Sequence, residues 1–175
     1  MEMTTYIALL RAVNVGGTGK LPMSELKSMC ESLGFENART YIASGNVVFD
    51  SDLSEQEVVE VLSASLEKYA GKPVGVMVRT GPEMAAVLKA NPFKSAAPNL
   101  TFAIFLDAKP PSDTIDNIRG RVDEEVELGK REIYASYLSG SGTSKLTIPA
   151  AKTGTARNMN TVAKLAEMAV EAKPA

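Results

Sequence analysis

Six segments in the first eighty residues follow the order strand, helix, strand, strand, helix, strand, and that order restricts the fold more than any single motif. Residues 4–11 form a nearly continuous apolar run, the pattern of a central strand covered on both faces. A glycine-rich stretch follows, and Pro22 suits the first turn of a helix reaching about residue 33. Leu26, Met29, Cys30 and Leu33 recur at helical spacing, and Gly34 suits the C-terminal cap. Residues 38–43 and 46–50 flank the turn Ser44-Gly45 and read as a hairpin. Ser54 with Glu57 three residues later is a capping-box pattern. Val58, Val61, Leu62, Leu66 and Tyr69 mark the buried stripe of the helix it opens. Gly71 to Pro73 ends that helix, and residues 74–79 supply a fourth strand. The order βαββαβ is that of a ferredoxin-like unit, with helices on one face of an antiparallel sheet.

The second half repeats the theme less clearly. A helix over residues 82–90 leads to a strand at 100–106 and a short helix at 113–119. A hairpin of 123–128 and 131–138 turns at Gly129-Lys130. A polar segment, 139–145, precedes a final helix over 158–171 with Val162, Leu165, Ala166 and Ala169 on one face, and residues 172–175 fray. The expected fold class is α+β: two ferredoxin-like (βαββαβ-type) subdomains, the second incomplete, with a C-terminal helical segment. The expected boundaries are 1–80 for the first subdomain, 81–99 for a linking helix and loop, 100–138 for the second βαββ subdomain, and 139–175 for the polar segment and last helix.

Composition removes whole classes of chemistry. The chain has no His, which excludes within it a Ser-His-Asp triad, a Cys-His dyad and a histidine metal site. The single Cys30 excludes an internal disulfide and reads as a buried structural thiol of the first helix. A net charge of -2 argues against a dedicated binder of duplex nucleic acid. No apolar run approaches the ~20 residues of a membrane span, and the N-terminus lacks a signal-peptide layout, so the chain reads as cytoplasmic.

The candidate site follows from topology. In an antiparallel sheet of order 4-1-3-2, the first strand ends where the third begins. The loop from Arg11 to Lys20 then shares a sheet end with Ser44, Gly45, Asn46 and Lys72. Arg11, Asn14, Lys20, Ser44 and Asn46 form an oriented donor set for a carboxylate or phosphate, with Gly16 and Gly17 exposing backbone N–H groups. The plainer reading gives the glycines to a tight loop and the asparagines to backbone groups. A P-loop is absent: Asn14 stands at its first glycine position and Leu21 at its hydroxyl position.

Two further segments carry candidates. Residues 139–145, with Gly140, Gly142 and Lys145, are a second anion candidate or a flexible connection. Asn158 suits the N-cap of the last helix, which sets Arg157 beside the positive end of its dipole and in need of an anionic partner. The acidic run 123–127 reads as a solvated strand face rather than a metal site. Tyr6 and Phe49 lack the basic-aromatic signature of RNA-recognition sheets, which argues against RNA binding there.

Four motifs carry a resemblance: Leu9-Leu-Arg-Ala-Val-Asn-Val-Gly-Gly17, Thr40-Tyr-Ile-Ala-Ser-Gly-Asn-Val-Val-Phe49, Ser144-Lys-Leu146 and Thr155-Ala-Arg-Asn-Met-Asn-Thr161. Together they resemble a bacterial family named domain of unknown function 1697, over nearly the whole chain. The resemblance implies an α+β architecture of ferredoxin-like character and no particular activity. The family's last motif usually has an aromatic where Met159 stands, and the segment between Lys145 and Arg157 is shorter than usual.

The functional expectation is a small anionic ligand, such as a nucleotide or other phosphorylated metabolite, held by Arg11, Asn14, Gly16, Gly17, Lys20, Ser44, Gly45 and Asn46. Lys145, Arg157 and Asn158 are the candidates from the other half. The alternatives are an enzyme acting on such a ligand, for which no residue is nominated as catalytic, and a protein-interaction module. Neither a cofactor nor a metal is assigned.

Overall fold

The computed structural model describes residues 3–11, 20–42, 45–138, 140 and 142–170 of the 175-residue chain. It is an α+β protein with two four-stranded antiparallel sheets and four α-helices among the described residues. Packing divides the chain into two units, one of Met1–Met84 with Leu165–Ala175 and one of Ala85–Lys164.

The first sheet consists of β1 (Thr4–Leu10), β2 (Glu36–Thr40), β3 (Asn46–Ser51) and β4 (Val76–Thr80), in the order β2-β3-β1-β4. The central strand β1 pairs antiparallel with both neighbours, Leu9 opposite Asn46 on one side and Leu10 opposite Val76 on the other. α1 (Met23–Ser32) and α2 (Glu55–Ala70) cover one face. Tyr6, Ala8, Leu10, Val47, Phe49, Val76 and Val78 from the strands meet Leu26, Cys30, Val58, Leu62 and Leu66 from the helices. Phe35 stacks on Phe49 at 4.3 Å between ring centroids. The alternating residues Ile7, Leu9, Val48, Met77 and Arg79 are buried too, so the continuous apolar run of β1 reflects two covered faces.

Local chemistry sets the helix ends. Ser54 and Glu57 form the full capping box at the start of α2, each side chain bonded to the other's backbone N–H, and Gly71 closes the helix at φ 74. Tyr69, expected on the buried stripe, is 47% exposed, because the last turn of α2 runs past the edge of the core that Leu66 still reaches. β2 begins at Glu36 with Asn37 at φ 58, and its register with β3 shifts between Glu36 and Arg39. Arg39 then donates through Nη2 to the carbonyl of Met168, near the C-terminal end of α4 (Met159–Val170), where a cation favours the helix dipole.

The second sheet is β5 (Thr101–Phe105), β6 (Glu125–Leu128), β7 (Glu132–Ser136) and β8 (Thr155–Asn158), in the order β6-β7-β5-β8. Its connectivity has the same pattern as the first, strand for strand. The second sheet is therefore complete, contrary to the expectation of an incomplete subdomain. Residues 155–158, expected to open the last helix, are its fourth strand and pair with β5 from Phe102↔Asn158 to Phe105↔Thr155. The short helix expected at 113–119 is a run of turns. Its main chain closes mostly three-residue turns, Thr114 to Pro111, Asn117 to Thr114 and Ile118 to Ile115, beside a single helical bond from Asn117 to Asp113, and the Thr114 and Asn117 side chains donate to the Pro111 and Asp113 carbonyls as well. The core of this unit gathers Ile104, Leu106, Val126, Ile133, Ala135 and Ile148.

α3 (Gly81–Lys89) and α4 each start directly after a sheet-edge strand. Thr80 caps α3 by accepting from the Glu83 N–H, while Glu83 Oε1 accepts from the Thr80 N–H at 2.8 Å. Asn158 Oδ1 caps α4 by accepting from the Thr161 N–H at 2.9 Å.

Candidate functional site

The site begins with the end of β1. Its last residue, Leu10, donates its N–H to the Gly45 carbonyl at 2.9 Å, and the next, Arg11, donates to the Gly75 carbonyl at 2.8 Å. Consecutive residues thus bond to the two chains that enter the sheet on either side. The Arg11 side chain is exposed, and its stem lies over Gly75, where an added Cβ would stand 2.9 Å from the Cβ of Arg11. Glycine at position 75 is what lets the arginine lie against the backbone at this sheet end.

Gly45, at φ 92, and Asn46 close the β2–β3 connection. Asn46 is fully buried; its amide nitrogen donates to the Tyr41 carbonyl at 2.9 Å, and its own carbonyl accepts from the Tyr41 N–H at 3.0 Å. It therefore pins the turn from within. Ile42, an exposed β-branched residue in the same turn, sits at φ 52, a conformation such side chains rarely adopt. Nothing in the sequence signals that strain.

Lys20 is exposed and precedes Leu21, which anchors in the core. α1 starts two residues later behind Pro22, and no described side chain caps its first turn. Lys72, also exposed, lies just beyond the Gly71 cap and before β4. The end of β1 is thus joined by backbone bonds to Gly45, beside Asn46, on one side and to Gly75 on the other. Asn14, Gly16, Gly17 and Ser44 lie outside the described residues.

The other candidates belong to the second unit. Arg157 is a buried β8 residue, its Nη1 donating to Thr155 Oγ1 at 2.7 Å and to the Ala156 carbonyl at 2.9 Å. Burial pulls its pKa down to about 10, so it stays cationic at neutral pH. Its neighbour Asn158 is spent on the α4 cap. Arg79 escaped the sequence reading. It is the equivalent buried residue of β4, its Nη1 donating to the Val78 carbonyl at 2.9 Å. The signal was there: Arg79-Thr80 and Arg157-Asn158 are both strand-end arginines followed by a capping residue and a helix.

Lys145 is exposed, and its backbone packs against Gly120. Nearby, the acidic run holds one residue that is no solvated face. Glu124 is only 4% exposed; its Oε1 accepts from the Val122 N–H at 2.6 Å and its Oε2 from the Ser144 hydroxyl. Those bonds, that of Ser144 foremost, hold its carboxyl below the usual range. Among the described residues no group of three or more His, Cys, Asp or Glu is placed to hold a metal ion. No described helix is long and apolar enough to cross a membrane.

The chain is similar in structure to the conserved bacterial protein SP0830 from Streptococcus pneumoniae, with a TM-score of 0.79 and 26% sequence identity, over 96% of this chain and 99% of that one. No curated protein matches it significantly. The model of the family described as "Protein of unknown function (DUF1697)" matches residues 3–134, from β1 into β7. With the greater part of its length matched, the chain belongs to that family.

Proposed function

We propose that this protein binds a small ligand bearing a phosphate or carboxylate at the rim formed by Arg11, Lys20 and the Gly45 turn. The observation that carries the reading is the pair of consecutive backbone bonds, Leu10 to Gly45 and Arg11 to Gly75. They fix the root of an exposed arginine beside the Gly45 turn, and the reading sets the exposed Lys20 and Lys72 and the N-terminus of α1 at the same sheet end. Arginine offers a planar fork to an oxyanion, and a helix N-terminus adds N–H groups and dipole. The antiparallel order of both sheets, edge to edge 4-1-3-2, supports reading each unit as ferredoxin-like.

A thermal-shift series with inorganic phosphate, nucleotides, sugar phosphates and carboxylates tests the proposal, run on the parent and on an Arg11→Ala/Lys20→Ala variant. A ligand at ~100 times its dissociation constant stabilises the native state by about 2.7 kcal/mol. For a chain of this size that raises the midpoint by about 5–10 °C. The shift is expected in the parent and lost in a variant of unchanged basal stability. A flat parent response, or equal shifts in both proteins, overturns the proposal.

A further inference from the structure

The second unit contains a cleft of about 500 Å³, lined by the loop 120–124 and by Gly140, Thr143, Ser144 and Lys145. Its walls are joined through the backbone. Arg119 and Thr147 exchange both main-chain hydrogen bonds, at 2.9 and 2.8 Å. Gly120, at φ 69, then crosses so near Lys145 that an added Cβ would stand 2.8 Å from the lysine's carbonyl carbon and closer still to its oxygen. Two positions beyond the bridge on either strand stand Arg121 and Lys145, so the crossing sets two exposed cations on one lining.

The two cations suit an acidic occupant held by local contacts. Glu124 is the obvious internal partner for these cations, but its two carboxylate oxygens accept from the Val122 N–H and the Ser144 hydroxyl. What Glu124 gives Arg121 is its backbone carbonyl, which accepts from Nε at 2.7 Å and so fixes the guanidinium stem. Among the described residues neither Arg121 nor Lys145 takes part in an ion pair. Asp123 and Glu124 also line the cleft, so its net charge is near zero and an anion would be held by direct contact with Arg121 and Lys145 rather than by a net positive field. Val122, 87% exposed, adds an apolar surface to the lining. The volume falls in the range of small-molecule sites, roughly 300–1,000 Å³.

We propose that this cleft is a second ligand site, independent of the rim in the first unit, and that it takes a phosphate monoester with a small apolar group. Arg121 and Lys145 hold the phosphate, Val122 meets the apolar group, and Gly120 with Glu124 positions the two cations. The site needs no residue of the rim.

The test is an amide-resolved NMR titration of the full chain with phenyl phosphate and with inorganic phosphate, each up to about 10 mM, where a millimolar site saturates. Saturable shifts are expected at the amides of residues 120–124 and 143–145, with phenyl phosphate the tighter of the two. Arg121→Ala/Lys145→Ala weakens binding at least tenfold, and Arg121→Lys/Lys145→Arg restores most of it. Absence of saturable shifts at these amides, or equal affinity in the alanine variant, overturns the proposal. Shifts confined to Arg11, Lys20 and Gly45 overturn the cleft while supporting the rim, and the reverse pattern separates the two the other way.

Discussion

Replacing Gly120 with alanine is the perturbation whose cost can be built most directly from the geometry. At φ 69 an alanine meets the left-handed penalty of about 1–2 kcal/mol, offset in part by a stiffer unfolded chain, so about 1 kcal/mol remains. The second term is steric. The new methyl would lie against the Lys145 carbonyl, which is backbone and has no rotamer to escape into. Relief means parting residues 119–121 from 145–147, and with them the two Arg119–Thr147 hydrogen bonds at about 1 kcal/mol each. The expected total is about 3 kcal/mol, or a fall in melting temperature of about 6–12 °C.

Gly71→Ala is the matched control. Gly71 has φ 74, yet nothing lies within 4 Å of its would-be Cβ, so only the backbone term applies. Its loss should be about 1 kcal/mol, or about 2–4 °C. Calorimetry of the two variants reads the steric term as their difference. If Gly120→Ala melts within about 2 °C of Gly71→Ala, the crossing is looser than described and the reasoning fails.

Asn158→Ala should lose about 1 kcal/mol in urea unfolding by removing the cap on the Thr161 N–H, whereas Asn158→Asp keeps the acceptor and most of the stability. A full loss in the aspartate variant would show that the residue does something other than cap. Burial pushes the Cys30 thiol up to about 12 from an ordinary 9.0. At pH 8 its thiolate fraction is then about one in ten thousand, so a thiol-specific disulfide reagent should label the native protein only as fast as it unfolds. The linked stability term is complete below pH 9 and falls as pH rises toward 12, because the unfolded thiol releases its proton first. Cys30→Ala should flatten that alkaline slope, and an unchanged slope would assign it to other groups.

What the sequence by itself determined is what short-range chemistry determines. Ser54 and Glu57 lie one turn apart, so the capping box of α2 depends on no other part of the chain. The apolar run 4–11 implied a strand buried on both faces, and β1 is that strand. The glycine at 71 and the asparagine at 158 mark the helix ends they were expected to mark. The element order of the first half implied an antiparallel sheet of order 4-1-3-2, and the sheet has that order, with Leu10 bonded to Gly45 and Arg11 to Gly75 at the end of β1.

Only the tertiary structure decided the rest, because the deciding partners are far apart along the chain. Residues 155–158 have no periodicity of their own; four residues become a strand because β5 offers them a ladder. Residues 113–119 suit a helix by composition, yet their main chain closes mostly three-residue turns and one helical bond only. Glu124 sits among acidic residues that look solvated, and its burial depends on Ser144 arriving from another segment. Arg121 and Lys145 share a cleft lining only because a glycine lets two backbones cross. A sequence records which groups are available, but which of them meet is set by the packing free energy of the whole chain, and no local window contains it.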